Sequence, residues 1–265
     1  MAAFLEAIDW TRPWLVPLKD YAQPILAAQD WRAALNNAAA AQCLCNQRGL
    51  PIHFVPQSDL PRGTPYEAFI SETGGVPTRD NLHDFFNALI WLTYPNIKKQ
   101  LNALQAVEIA GAASSLALRG QPVVRGKVRD AATIFDENAA LFITCDSRLV
   151  NALRERRWTE LFVDRRAAFG MCCEVWLFGH ALIEKLVHPY KAITAHAWAV
   201  IAEDAVFSLP HEARARWVDA AVAHRLKQGL STADFMPLPV LGLPQWHAGQ
   251  DEAFYGDRKV FRPQR

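Results

Sequence analysis

The segment E-T-G-G-V-P-T-R-D-N-L-H-D-F-F-N-A-L-I-W-L-T-Y-P, residues 72–95, constrains this chain more than any other. A polar entry rich in turn formers runs into a stretch that is apolar almost all round, yet keeps His83, Asp84 and Asn87. The pattern predicts a helix from about Asn81 to Thr93, with Asp80 as its N-cap and Pro95 just beyond its end. At about 100° per residue, Leu82, Phe85, Phe86, Leu89, Ile90 and Leu92 form a wide apolar arc. His83, Asn87 and Tyr94 fall together at its edge, and Asp84 shares the remaining side with Trp91. Such a helix is buried, so its polar strip needs partners. The plainer account is a hydrogen-bond network that orients the helix. The functional account is a cleft wall with His83 as an acid, base or ligand. His83 and Asp84 do not form a dyad on one point, because neighbours on a helix diverge by about 100°.

The rest of the chain sets the frame. Its 265 residues are 51% hydrophobic, enough for a core over a single domain spanning 1–265, with an irregular N-terminal arm at 1–23 and a proline-rich C-terminal tail at 231–265 packed on the body. Net charge is +1, which gives no global reason to bind nucleic acid; R-E-R-R at 154–157 reads as a solvated helix face. No apolar run reaches the roughly 20 residues of a spanning helix, and the first ten residues carry Glu6 and Asp9 and no basic stretch, so neither a membrane nor secretion is expected. The five cysteines come as C-x-C, C-C and one alone, which reads as free thiols in a reducing compartment and points to the cytoplasm.

Periodicity and punctuation predict a helix-rich α+β fold with a small sheet. Residues 24–47 read as a helix, P-I-H-F-V-P as a short extended segment, and 56–80 as a long loop with a helical turn at Tyr66–Ile70. R-G-Q-P-V-V-R-G-K reads as a loop. Apolar runs on both sides of D-E-N suggest a hairpin near 132–145. Residues 147–168 read as helix, C-C-E-V-W-L-F as strand, and H-A-L-I-E-K-L-V-H as a helix stopped by Pro189. A-I-T-A-H-A-W-A-V-I-A-E-D reads as more helix, as does H-E-A-R-A-R-W-V-D-A-A-V-A-H-R-L, and the tail as irregular. The alternative is an α/β fold with a β-α-β crossover at 141–188.

Three further groups carry chemistry. His180, Glu184 and His188 stand at i, i+4 and i+8, a spacing at which a helix can present His and Glu to one metal ion. His180 directly follows a predicted strand, where ligands gather in α/β folds, and His196 joins if the chain folds back. The sequence is not H-E-x-x-H, so a zinc-protease reading is rejected. Asp136 and Glu137, with Asp130, could bind a cation, but D-E-N is more simply turn chemistry. Glu72, Thr78 and Arg79, with the helix start beyond them, form a candidate ligand or anion site that also takes in Asn87. There is no G-K-[ST], G-x-S-x-G, G-x-G-x-x-G or kinase signature.

As a set, E-T-G-G-V-P-T-R-D-N-L-H-D-F-F-N-A-L-I-W-L, R-D-A-A-T-I-F-D-E-N, G-H-A-L-I-E-K with T-A-H, P-L-P-V-L-G-L-P and V-F-R-P resemble a proteobacterial family of unknown function, domain of unknown function 3025. The resemblance covers nearly the whole chain. It implies a bacterial protein with a single family domain and carries no catalytic residue, substrate or cofactor. The family pattern has Gly after Asp-Glu-Asn, where this chain has Ala139.

The residues together point to an enzyme or small-ligand binder with a His/Glu/Asp-lined polar cleft, of which metal-assisted hydrolysis is the best-fitting chemistry. His83, Asp84, His180 and Glu184 are the candidate catalytic groups. His180, Glu184 and His196 are the candidate ligands of a divalent metal. A small molecule fits as partner, nucleic acid is disfavoured, and a homodimer is compatible with the aromatic content. The alternative is a non-catalytic interaction or oligomeric scaffold protein that uses its nine tryptophans and proline-rich tail.

Overall fold

The computed structural model describes residues 3–119 and 126–264. Most of the expected loop R-G-Q-P-V-V-R-G-K therefore lies outside the described residues. Helix makes up 55% and strand 14%, the strands forming two small sheets, so the fold is helix-rich α+β as the sequence predicts.

After a short 3-10 turn at Ala3–Leu5, a 3-10 segment at Pro13–Leu18 buries Trp14, Leu15 and Leu18 and touches helix and sheet. Helices α1 (Lys19–Leu26) and α2 (Trp31–Ala41) replace the single helix expected over 24–47. The break arises because the Asp30 carboxylate accepts from the Arg32 and Ala33 amides, both at 3.0 Å, and so starts a new helix. Strand β1 (His53–Pro56), helix α3 (Tyr66–Thr73) and strand β2 (Gly75–Thr78) follow, β1 and β2 pairing in parallel.

Helix α4 (Leu82–Thr93) is the helix read from the opening segment, with ten of its residues buried. Its N-cap is Asn81 and not Asp80: the Asn81 side chain accepts from the Asp84 amide at 2.8 Å. Asp80 turns outward to the Arg32 guanidinium at 2.9 Å. Helix α5 (Pro95–Arg119) starts at proline, whose missing N–H costs a helix nothing in its first turn. Asp219 covers the next two amides, accepting from Asn96 N at 3.0 Å and Ile97 N at 2.9 Å.

The expected hairpin near 132–145 is absent. Lys127–Asn138 is helix α6, with Ala131, Ala132 and Phe135 buried and D-E-N as its last turn. It runs directly into strand β3 (Ala139–Thr144), buried at every position. After helix α7 (Ser147–Arg154) and a π turn over Glu160–Asp164, strand β4 (Cys173–Leu177) returns antiparallel to β3, pairing Ile143 with Glu174. That direction excludes the crossover over 141–188.

Helix α8 (His180–Lys185) leads to strand β5 (Thr194–Ile201), which the sequence reads as helix. β5 lies parallel to β3 and is buried from Ala197 to Val200. Short helix α9 (Asp204–Phe207) and long helix α10 (His211–Leu226) precede strand β6 (Phe235–Pro239) and helix α11 (Glu252–Tyr255). The tail is thus more regular than expected: β6 pairs antiparallel with β5 and completes the order β4-β3-β5-β6. The Val240 amide donates to Ile193 O at 3.0 Å, which extends that ladder. One cluster of buried apolar side chains extends from Leu5 to Phe261. No tryptophan is among the exposed large hydrophobic residues described. Among the described residues no helix is long and apolar enough to cross a membrane.

Candidate metal centre

Three helix ends meet where the sheet begins. Phe178 N and Gly179 N both donate to Ala139 O, at 3.0 and 2.9 Å, so β4 ends against the start of β3. At that point α6 finishes and α8 starts. Gly179 makes the meeting close: a Cβ there would lie 2.5 Å from Asn138 Cα and N. The last turn of α6 (Asp136, Glu137) and the first residue of α8 (His180) are therefore held side by side. Helix α4 packs against α8 and brings His83 to the same place.

The side chains converge on one imidazole. His83 Nδ1 is 3.0 Å from Glu184 Oε2, and His83 Nε2 is 3.1 Å from His180 Nε2. The i, i+4 pair of α8 thus faces both nitrogens of a ring delivered by α4. His180 Nε2 is also 3.5 Å from Glu137 Oε2. One ligand atom each from His83, Glu137 and His180 lie within 4.8 Å of one another. Ligand atoms on a tetrahedral zinc ion with bonds of about 2.1 Å stand roughly 3.4 Å apart, so the observed separations suit a cation.

Proton placement narrows what can lie between the two rings. The Glu184 carboxylate accepts from His83 Nδ1–H, which leaves a lone pair on His83 Nε2. Two imidazole lone pairs facing each other repel, so a proton or a cation must lie between the two Nε2 atoms. His180 Nδ1 is buried and makes no well-aligned hydrogen bond, with the Asp136 backbone beside the ring, so its close side-chain contacts are made through Nε2. His180 is only 4% exposed, whereas His83, Glu137 and Glu184 are 32%, 34% and 39% exposed. The buried ring is thus reached from solvent past three half-exposed groups.

Burial sets the charges. It pushes the His180 pKa down to about 4, with the Lys98 ammonium and His83 acting in the same direction and Asp136 opposing, so the ring is neutral near pH 7. Burial, then the Asp136 charge, hold the Glu137 carboxyl above its usual value. Burial alone would raise Asp136 too, but the Lys98 ammonium and His180 outweigh it and hold that carboxyl low.

The depressed His180 pKa predicts a pH dependence for chelator-treated protein. Unfolded, the ring takes a proton near its model value of 6.5; folded, it resists until about 4. Between these values the unfolded state binds the extra proton, so stability is full above about 6.5 and is lost as pH falls towards 4. The shift is worth about 3 kcal/mol. Urea midpoints at several pH values should show this slope in the wild type and a shallower one in His180→Asn; equal slopes would refute it.

A buried polar chain continues inward. Lys98 Nζ donates to Asp136 Oδ1 at 2.7 Å and Asn87 Oδ1 at 2.9 Å, and Asn87 Nδ2 reaches Tyr66 OH at 3.0 Å. Next to it, Asn102 Nδ2 donates to Glu67 Oε2 at 2.7 Å. Asn87 therefore belongs to the network that supports the cluster.

The other residues singled out in the sequence lie apart from it. Asp84 accepts from Arg79 N at 2.7 Å and from Arg79 Nε at 3.0 Å, closing the turn before α4. Thr78 is buried, its hydroxyl donating to Val76 O, and Glu72 is exposed. His196, on β5, is exposed and sets its ring edge against Phe235, with centroids 5.9 Å apart. His188 lies beyond the end of α8 and is exposed. Lys98 is not singled out in the sequence, and Asp136 and Glu137, a possible cation pair there, are read instead as turn residues. The signal was available: a two-residue hairpin turn favours Asn-Gly or Asp-Gly, and D-E-N-A offers neither. Cavities of about 570 and 430 Å³ share Pro17 and His211 in their walls and include none of the cluster residues.

No curated protein and no solved structure matches the chain. A family model described as a protein of unknown function does match, over residues 52–265, a span that holds His83, Glu137, His180 and Glu184. The chain belongs to the DUF3025 family.

Proposed function

We propose that the protein is a metal-dependent hydrolase whose cation is held by His83 Nε2, His180 Nε2 and the Glu137 carboxylate. The convergence of these three ligand atoms within 4.8 Å, around a buried neutral imidazole, carries the reading. Two imidazoles and one carboxylate with a side open to solvent make a zinc donor set that leaves room for water or substrate. A divalent cation there would lower the pKa of a bound water and polarise a carbonyl or phosphoryl oxygen. Glu184 fixes the His83 tautomer from behind, the role of the carboxylate in a carboxylate–histidine–metal triad. Five free cysteines among the described residues suit a reducing compartment, and we place the protein in the cytoplasm.

Elemental analysis of protein loaded with zinc and passed through gel filtration tests the reading. About one zinc per chain is expected in the wild type, and almost none in His83→Ala or His180→Ala of unchanged circular dichroism. Glu184→Gln should keep the metal but bind it about 10–100-fold more weakly. A wild type that retains no zinc would remove the metal. Stoichiometric iron in the purified protein would replace hydrolysis with oxygen chemistry, which the same donor set also supports.

A further inference from the structure

A cavity of about 330 Å³ lies where the turn after α7 meets the edge of the sheet and the C-terminal segment. Arg156, Lys259 and Arg262 line it, with Trp158, Thr194 and Pro239 among the other wall residues, and none of its lining residues is acidic. Among the described residues no ion pair involves any of the three cations, although the neighbouring Arg157 pairs with Glu155 at 3.0 Å. In a chain with 28 basic and 27 acidic side chains, three cations around one hollow are a local excess, with Asp257, just outside the wall, the carboxylate that acts on Lys259. A cavity lined by one sign of charge concentrates counter-ions.

The backbone at Arg156 supplies an independent observation. Arg156 N donates to Leu153 O at 3.1 Å and Arg157 N to Ala152 O at 2.8 Å, the double closure of a Schellman helix end. The residue between these bonds must be left-handed, and Arg156 has φ 55°. Glycine is the usual choice there because it has no Cβ to strain. An arginine is held instead, with its side chain in the wall of the cationic cavity. Strain kept at one residue is a mark of function when the same residue serves a site.

We propose that this cavity binds a small phosphate ester. Two guanidiniums and an ammonium match a dianionic phosphate, the guanidinium fork pairing with two of its oxygens. The volume exceeds what a free phosphate fills, and Trp158 with the prolines gives the organic part an apolar wall. The Trp158 indole is itself fixed, donating to Arg262 O at 2.8 Å, which ties the C-terminal segment to the turn after α7. The site shares no residue with the His83–His180 cluster and does not depend on it.

Calorimetric titration with ribose 5-phosphate in low salt, with ribose as the uncharged control, tests the proposal. Binding with Kd below about 1 mM is expected for the ester and none for ribose. Arg156→Gly should weaken binding at least about tenfold, as loss of one charge-assisted contact does, while raising Tm because the strain is released. Lys259→Gln/Arg262→Gln should weaken binding at least as much, and His180→Ala should leave it unchanged. Absence of binding by ribose 5-phosphate would overturn the proposal. So would equal affinity in Arg156→Gly, or loss of binding in His180→Ala. Tighter binding of a 12-nucleotide oligothymidylate, lost in the same variants, would replace the small ester with single-stranded nucleic acid.

Discussion

Gly179→Ala will destabilise the protein by about 3 kcal/mol and disassemble the His83–Glu137–His180 cluster in the same step. Its φ is −60°, which any residue adopts, so the cost is one of space. The new Cβ would sit 2.5 Å from Asn138 Cα and N and 2.6 Å from Ala139 N. These are main-chain atoms at the junction of α6 and β3, and they do not swing aside as a side-chain tip would. Relief requires α8 to move away from α6, which parts His180 from Glu137. Denaturant unfolding and zinc titration of the remaining folded protein measure both effects. Gly111→Ala is the control: on α5, with open space around it, the substitution should stabilise by about 0.5–1 kcal/mol. Wild-type stability and zinc affinity in Gly179→Ala would show that the contact does not hold the site.

Lys98→Met will cost about 3–5 kcal/mol, the largest loss expected of any single side-chain change near the cluster. Lys98 and Asp136 are 4% and 10% exposed and 2.7 Å apart. Methionine fills much of the same volume but leaves the Asp136 carboxylate without its cation and the Asn87 carbonyl oxygen without its donor. Lys98→Met/Asp136→Leu removes both charges and should recover at least half of the loss, because the penalty comes from the stranded charge more than from the missing bond. Urea unfolding of the single and double variants closes the cycle. If Lys98→Met costs under about 1 kcal/mol, water reaches Asp136 and the pair is not the buried support described.

The predictable parts of this fold are those where local pattern and tertiary environment agree. The apolar arc of α4 was readable from its period, α10 from its length and helix-forming residues, and β3 and β4 from short apolar runs rich in β-branched and aromatic residues. β5 was not. T-A-H-A-W-A-V-I has the alanine content of a helix, and pairing with β3 on one side and β6 on the other overrides that preference. The error at α6 concealed half of the site, since a hairpin tip sends Asp136 and Glu137 to solvent and a helix end next to Gly179 sends them inward. Within the site, the i, i+4 relation of His180 and Glu184 was visible because it is local. Their shared target, His83, is about a hundred residues away in sequence and no spacing rule connects them. Asp84 and Arg79 drew notice as charged residues beside an apolar helix, and what they satisfy is each other.

β6 closes the four-stranded sheet with two prolines, Pro237 and Pro239. Amides alternate in direction along an antiparallel strand, and Val240 N points at β5, so the nitrogens of 237 and 239 face the outer side. The two positions where another strand would look for donors therefore have none. The β6 margin, opposite the one formed by β4, is thus a poor template for a second chain, which guards that edge of the sheet against edge-to-edge aggregation.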